Sequence, residues 1–193
     1  MIYFISGNKN KQREVEAVFE EFGIKDKLEF INMDLIEIQG TPDEIIEAKC
    51  NGAIKQNNML KDKEFFVEDT SLQLGALHGF PGPYIKYFEE IGLENIVNII
   101  HKLGNKFAKA ITIIGHYKNG IINTIYGETA GSIEYPKYKD SYDGYKHFIR
   151  YNHVYSPEDL KSINEVYFGF DPIFKPLGSS LTFSEMTRED KYK

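Results

Sequence analysis

Two stretches of this sequence hold residue types that could do chemistry together. Ser6-Gly7-Asn8-Lys9-Asn10-Lys11 joins a short apolar run to an amphipathic one, so it falls at a strand-to-helix turn. The first N–H groups of a helix are unpaired there, and the helix dipole is positive. Helices favour Asp or Glu at that end, yet Lys9 and Lys11 occupy it, at roughly 0.3–1 kcal/mol for each exposed lysine. A polyanion held by backbone N–H groups and lysines would account for that choice. The simpler reading is a helix capped by Asn8, its lysines in water and Lys11 three residues before Glu14. The segment matches neither G-x-x-x-x-G-K-[ST] nor G-x-G-x-x-G.

The second stretch is Glu68-Asp69-Thr70-Ser71, where the apolar strand Phe65-Phe66-Val67 is expected to end. Consecutive strand residues face opposite sides, so at most one of the two carboxylates faces a given cleft. Ligands bind at strand ends in α/β sheets; acids that only form a turn are the alternative. One carboxylate is a poor Mg²⁺ site, so a second must come from elsewhere. Glu37 is a candidate, and Asp34, Asp43 and Glu44 satisfy the spacing as well. Lys49 and Lys86, each taken alone, read as solvated. Phe168-Gly169-Phe170-Asp171-Pro172 sets two rings and a carboxylate around a flexible glycine. That suits stacking on a flat ring, or a core strand ending in a turn. His78, His101, His116, His147 and His153 have no metal spacing, and H-E-x-x-H and G-x-S-x-G are absent. Cys50 reads as a packed thiol.

The elements that must position these groups follow from periodicity. Ile2-Tyr3-Phe4-Ile5 reads as a buried strand; Val15, Val18, Phe19 and Phe22 then trace one helix face, with Gly23 as the stop. A strand follows at about Leu28 to Ile31. Thr41-Pro42-Asp43-Glu44 is a helix start with a capping box, and Ile45, Ala48, Gly52 and Ala53 predict a small-residue face. A helix from about Glu94 to Leu103 should set Ile96, Ile99, Ile100 and Leu103 on one side. Phe107 to Tyr117 and Ile121 to Ile133 form a hairpin around Asn119-Gly120, residues that tolerate positive φ. This order of strands and helices predicts an α/β domain with a mixed sheet. The Tyr-rich stretch 136–166 has no sustained period and reads as a surface insertion.

Composition narrows the class. The chain has 193 residues, 41% hydrophobic and 27% charged, which excludes general disorder and suits one domain. A net charge of −6 excludes a surface built as a whole for nucleic acid or an anionic membrane, so neither partner is expected. No apolar run approaches the roughly 20 residues of a membrane span, and Ile2–Ile5 is too short for a signal peptide. One cysteine excludes an internal disulfide framework. A cytoplasmic location is expected.

Taken together, the segments closely resemble the inosine triphosphate pyrophosphatase family, which hydrolyses non-standard purine nucleoside triphosphates. The matching segments are Ser6-Gly7-Asn8-x-x-Lys11-x-x-Glu14, Glu37-Ile38-Gln39-Gly40, Pro42-Asp43-Glu44-Ile45, Lys49-Cys50 and Phe66-Val67-Glu68-Asp69-Thr70. Gly79-Phe80-Pro81-Gly82-Pro83-Tyr84-Ile85-Lys86 follows and looks like the eukaryotic branch. Phe168-Gly169-Phe170-Asp171-Pro172 and Phe183-Ser184-Glu185-Met186 complete the set. The resemblance implies an elongated α/β domain over residues 1–193, with a long twisted mixed β-sheet flanked by helices and a cleft between two lobes. It implies a homodimer, and hydrolysis of ITP, dITP or XTP to the monophosphate and pyrophosphate with Mg²⁺, or Mn²⁺ in its place.

Residue by residue, the same resemblance has Ser6, Gly7, Asn8, Lys9, Asn10 and Lys11 cradle the triphosphate, with charge from Lys49 and Lys86. Glu37 and Asp69 would bind Mg²⁺. Asp69 would also be the base for the attacking water, with Thr70 beside it and Lys11 acting in catalysis. Phe168 and Phe170 would wall the purine across Gly169, Asp171 would meet its edge, and Lys191 would lie near the base or sugar. Two departures shape the expectation. The family's motif continues past Lys191 with a Ser-His-Arg that reads the base and a C-terminal helix, whereas this sequence stops at Lys193. A binding protein with little turnover is the alternative this raises. The second departure is the length of 136–166.

Overall fold

The computed structural model describes residues 1–135 and 169–191. The expected insertion at 136–166, Phe168, His147 and His153 lie outside them. The described strands are β1 (Ile2–Ile5), β2 (Leu28–Ile31), β3 (Phe65–Leu74), β4 (Pro81–Gly82), β5 (Phe107–Lys118), β6 (Ile121–Ile133) and β7 (Phe174–Pro176). The helices are α1 (Lys9–Glu21), α2 (Pro42–Gln56), α3 (Ile85–Phe88), α4 (Leu93–Leu103) and α5 (Arg188–Lys191). The strands form one mixed sheet in the order β2-β1-β3-β5-β6-β7, with β4 beside β3. β1 runs parallel to β2 and β3, whereas β3–β4 and β6–β7 are antiparallel. This is the predicted α/β class. The chain divides into two compact units, Met1–Thr70 with Thr112–Gly127, and Ser71–Ile111 with Glu128–Lys193.

In the first unit the sheet is held by stacked rings. Phe4 lies on Phe66 at 4.8 Å between centroids, and Phe19 of α1 lies parallel to Phe66 at 6.1 Å. The predicted α1 face is only partly used, because Phe22 falls at the C-cap and is exposed. α2 begins as its sequence dictates: the Glu44 amide donates to Thr41 Oγ1, and the Thr41 amide donates to Glu44 Oε2 at 2.7 Å. Its buried stripe differs from the expected one. Ile45, Ile46, Lys49, Cys50 and Ala53 face inward, in place of Ala48 and Gly52.

The reason lies across the interface, at Gly115 of β5. A methyl group there would come within 2.5 Å of Ile46 Cγ2 and 2.9 Å of Cys50 Sγ, so the bare glycine lets the larger stripe approach the strand. Cys50 Sγ sits 3.7 Å from the Gly115 carbonyl oxygen, and burial pushes the thiol up to about 12. It is the packed thiol the sequence suggests. Gly115→Ala should lower stability by about 1–3 kcal/mol in denaturant unfolding, through overpacking. Unchanged stability would mean that α2 can back away freely.

β3 does not stop at Glu68-Asp69 as expected but runs on to Leu74. Antiparallel pairing of Leu72 with Gly82 and Gln73 with Pro81 supplies hydrogen bonds that extend it. The peptide between Phe80 and Pro81 is cis.

In the second unit Leu93, Ile96, Val97 and Ile100 of α4 are fully buried against Leu72, Leu74, Ile133 and Phe174. The expected stripe of Ile96, Ile99, Ile100 and Leu103 is half wrong, since Ile99 and Leu103 are exposed. Including Leu93 completes an i, i+3, i+4, i+7 set on the opposite flank of Ile96 and Ile100. Burying Leu93 and Val97 is worth about 1.5–3 kcal/mol each and decides the helix rotation. Asn119 and Gly120 close the β5–β6 hairpin at φ 53° and 82°, as predicted.

Candidate active site

The turn after β1 is a tightly bonded helix entry. The Ser6 amide donates to the Ile31 carbonyl at 3.1 Å, and Gln12 Nε2 donates to the Ser6 carbonyl at 2.7 Å. The Asn8 amide donates to Ser6 Oγ at 3.1 Å. Asn8 Oδ1 in turn accepts from the amides of Asn10 and Lys11 at 2.9 and 3.4 Å, so Asn8 is the helix cap. Gly7 permits the close approach of this turn to Asp34, whose Oδ1 would lie 1.9 Å from a Cβ at position 7. α1 has no acid in its first turn.

The two lysines of the turn behave differently. Lys9 is exposed. Lys11 is neither in water nor across from Glu14 alone: its ammonium lies 2.8 Å from Glu68 Oε2, with 14% of its side chain exposed. Burial works most strongly against its charge, but Glu68, Asp69 and Glu37 together outweigh that and raise its pKa.

β3 explains how Glu68 and Asp69 serve different helices. Strand alternation puts Phe66, Glu68 and Thr70 on the side of α1, where Phe19 and Lys11 meet them. Phe65, Val67 and Asp69 face the other side, where α2 brings Lys49. Lys49 is buried, which overturns its solvated reading. Its Nζ donates to Asp69 Oδ1 at 2.5 Å, to Glu37 Oε1 at 2.9 Å and to the Glu68 carbonyl at 3.3 Å. Burial raises the Asp69 carboxyl above the ordinary value of 3.8, against the opposing pull of Lys49 and Lys11. The Thr70 hydroxyl donates to Glu68 Oε1.

Of the carboxylates that spacing left open, Glu37 is the one that shares Lys49 with Asp69 among the described residues. Glu44 is engaged in the α2 capping box, Asp43 accepts from the Tyr126 hydroxyl, and Asp34 lies against Gly7. Two carboxylates around one cation are a hard-oxygen donor set that suits Mg²⁺, which takes one or two protein carboxylates and completes its shell with water and phosphate. No group of three or more His, Cys, Asp or Glu with metal-binding geometry occurs among the described residues. His101 and His116 instead contact the Ile133 carbonyl and Glu64.

The second unit holds the remaining candidates. Lys86 is exposed on α3. Gly169 adopts φ 46°, and a Cβ there would meet Glu89 Oε1 at 2.8 Å. Residues 169–172 are a turn rather than a strand end. The Phe170 ring, expected to wall a purine, is instead 3% exposed within the core and meets Phe174 edge-on at 5.9 Å. Its apolar neighbours, Ile173 and Phe174, draw it inward. Asp171 is buried and pairs with Lys191 at 2.7 Å, and the Lys191 ammonium stands 5.3 Å over the Phe183 ring.

One residue of the first unit was overlooked by sequence reasoning. Glu68 stands in a recognised motif but had no role assigned. Strand alternation, together with a lysine in an acid-free first turn of α1, was the signal that could have linked it to Lys11.

Known proteins give these positions a context. A model of the Ham1 family matches residues 2–158. The inosine triphosphate pyrophosphatase of Encephalitozoon intestinalis is 41% identical over 140 residues, covering 70% of this chain and 69% of that protein. Its namesake in Encephalitozoon cuniculi is 31% identical over 194 residues, covering 98% of this chain and 84% of that protein. Among solved structures, a HAM1 protein from Coxiella burnetii superposes with a TM-score of 0.66 at 18% identity, covering 99% of this chain and 90% of that one. That likeness speaks to the fold. Among the described residues no helix is long and apolar enough to cross a membrane.

Proposed function

Because the chain belongs to the Ham1 family, we propose that it hydrolyses the non-standard purine nucleoside triphosphates ITP, dITP and XTP to monophosphate and pyrophosphate, with Mg²⁺. The relatives' shared name, inosine triphosphate pyrophosphatase, supports a nucleoside triphosphate pyrophosphatase. The observation that favours this chemistry most is the Lys49 ammonium held between Glu37 and Asp69, next to the Lys11–Glu68 pair. Such alternating charge suits a substrate with about four negative charges and a hard cation.

Glu37 and Asp69 would hold the Mg²⁺, with Mn²⁺ as a substitute of similar chemistry. Bound there, the ion would offset phosphate charge and the charge that develops on the departing pyrophosphate. Asp69 takes the proton of the attacking water; its buried carboxyl is a stronger base than an exposed one. Lys11 and Lys49 donate to phosphate oxygens, and the turn Ser6 to Lys11 orients the chain of phosphates. By family resemblance, Lys86 adds charge, and Phe168, Gly169, Asp171 and Lys191 form the base subsite. A homodimer and a cytoplasmic location belong to the same proposal, the latter favoured by the lone buried thiol Cys50.

Product identity tests it. ITP or XTP with Mg²⁺ should yield the monophosphate and pyrophosphate in equal amounts. Orthophosphate and the diphosphate as primary products would overturn the proposal.

A further inference from the structure

We propose that Glu68 is a positioning residue for this reaction, holding the Lys11 ammonium at the first turn of α1 through a carboxylate that is itself fixed, one oxygen paired with Lys11 and the other accepting from Thr70. The inference rests on the hydrolytic function proposed above, but its test is separable from it. Glu68 Oε2 meets Lys11 at 2.8 Å, and Oε1 accepts from the Thr70 hydroxyl. The carboxylate is therefore clamped, with 9% of its side chain exposed. Its own backbone carbonyl accepts from Lys49, so one residue touches both lysines of the cluster.

Lys11 needs such an anchor. It sits in the first turn of α1, where the helix dipole opposes a cation, on a flexible four-carbon stem. Without a fixed acceptor the ammonium would gain by swinging into water. With one, it is already desolvated and aimed before substrate arrives, so less order must be imposed during turnover. The arrangement has a cost in affinity, because Glu68 is a fixed negative charge near a site for a polyanion. A residue with these two effects lowers KM when neutralised and lowers kcat as well. A residue that only supports the fold would change neither in the folded fraction.

Steady-state kinetics of Glu68→Gln, Lys11→Ala and the double variant with Mg²⁺ and ITP test this. Glu68→Gln should lower kcat about tenfold to a hundredfold, the range for a misplaced group, and lower KM with it. In the Lys11→Ala background the same substitution should leave kcat unchanged, since no ammonium remains to be placed. An equal loss of kcat in both backgrounds, or no loss in either, would overturn the inference. If Glu68→Gln does not fold, Glu68→Asp keeps the charge, shortens its reach and should show the same dependence on Lys11. Failure of the functional reading looks different: the wild-type protein would release other products. The coupling is then measured on that reaction or, without turnover, on triphosphate affinity.

Discussion

Asp69→Asn should reduce turnover by about 10²–10⁴-fold, the usual contribution of a positioned general base, while triphosphate binding changes little. Asparagine matches aspartate in shape and still offers an oxygen to Lys49, which lies 2.5 Å away. It removes the negative charge and the capacity to take a proton. Asp69 is suited to this task by its surroundings: burial raises its carboxyl, against the opposing pull of Lys49 and Lys11. Pyrophosphate release and calorimetric titration with a triphosphate check the two halves of the result. Turnover within a few-fold of wild type would assign the base elsewhere. A joint collapse of binding and turnover would make Asp69 a determinant of the fold or of substrate affinity.

Lys49→Met should produce the largest stability change of any single substitution in the cluster. The lysine has 5% of its side chain exposed, and Asp69 has 11%. Removing one partner of a buried pair typically costs 3–5 kcal/mol, because the other charge stays buried without compensation. Glu37 is nearly half exposed, so water screens its part. About 3 kcal/mol is therefore expected, or roughly 6–12 °C in Tm for a chain of this length. Mg²⁺ should then stabilise Lys49→Met more than the wild type, since the ion no longer competes with an ammonium for Glu37 and Asp69. Thermal unfolding with and without Mg²⁺ measures both effects. A loss under about 1 kcal/mol, or equal Mg²⁺ shifts in the two proteins, would show that Lys49 is not the cation that keeps these carboxylates together.

Much of the local structure was legible because short-range chemistry decides it. The Asn8 cap, the Thr41–Glu44 capping box with Pro42 inside the helix and the Asn119-Gly120 turn depend on neighbouring residues. The α/β class follows from the order of strands and helices, and the family followed from motif spacing along the chain. What remained illegible depends on groups distant in sequence. β3 outlasts its apolar run because β4 pairs with its far end. The buried face of α2 is set by the missing side chain at Gly115, more than sixty residues from Cys50.

Charge pairing shows the same division. Sequence alone presents Lys11 and Lys49 as cations on helices, for which water is the default partner, and Glu68 as one of two adjacent acids. Only the tertiary structure decides that α1 and α2 lie against opposite sides of β3, so that alternation hands Glu68 to Lys11 and Asp69 to Lys49. The same holds for Phe170, whose ring turns into a core shared with Leu72, Leu93 and Ile133 of other elements. The physical reason is common to all of them. Caps and turns are settled by hydrogen bonds within a few residues, whereas the partner of a buried charge or ring is settled by which elements pack together, and no local pattern encodes that.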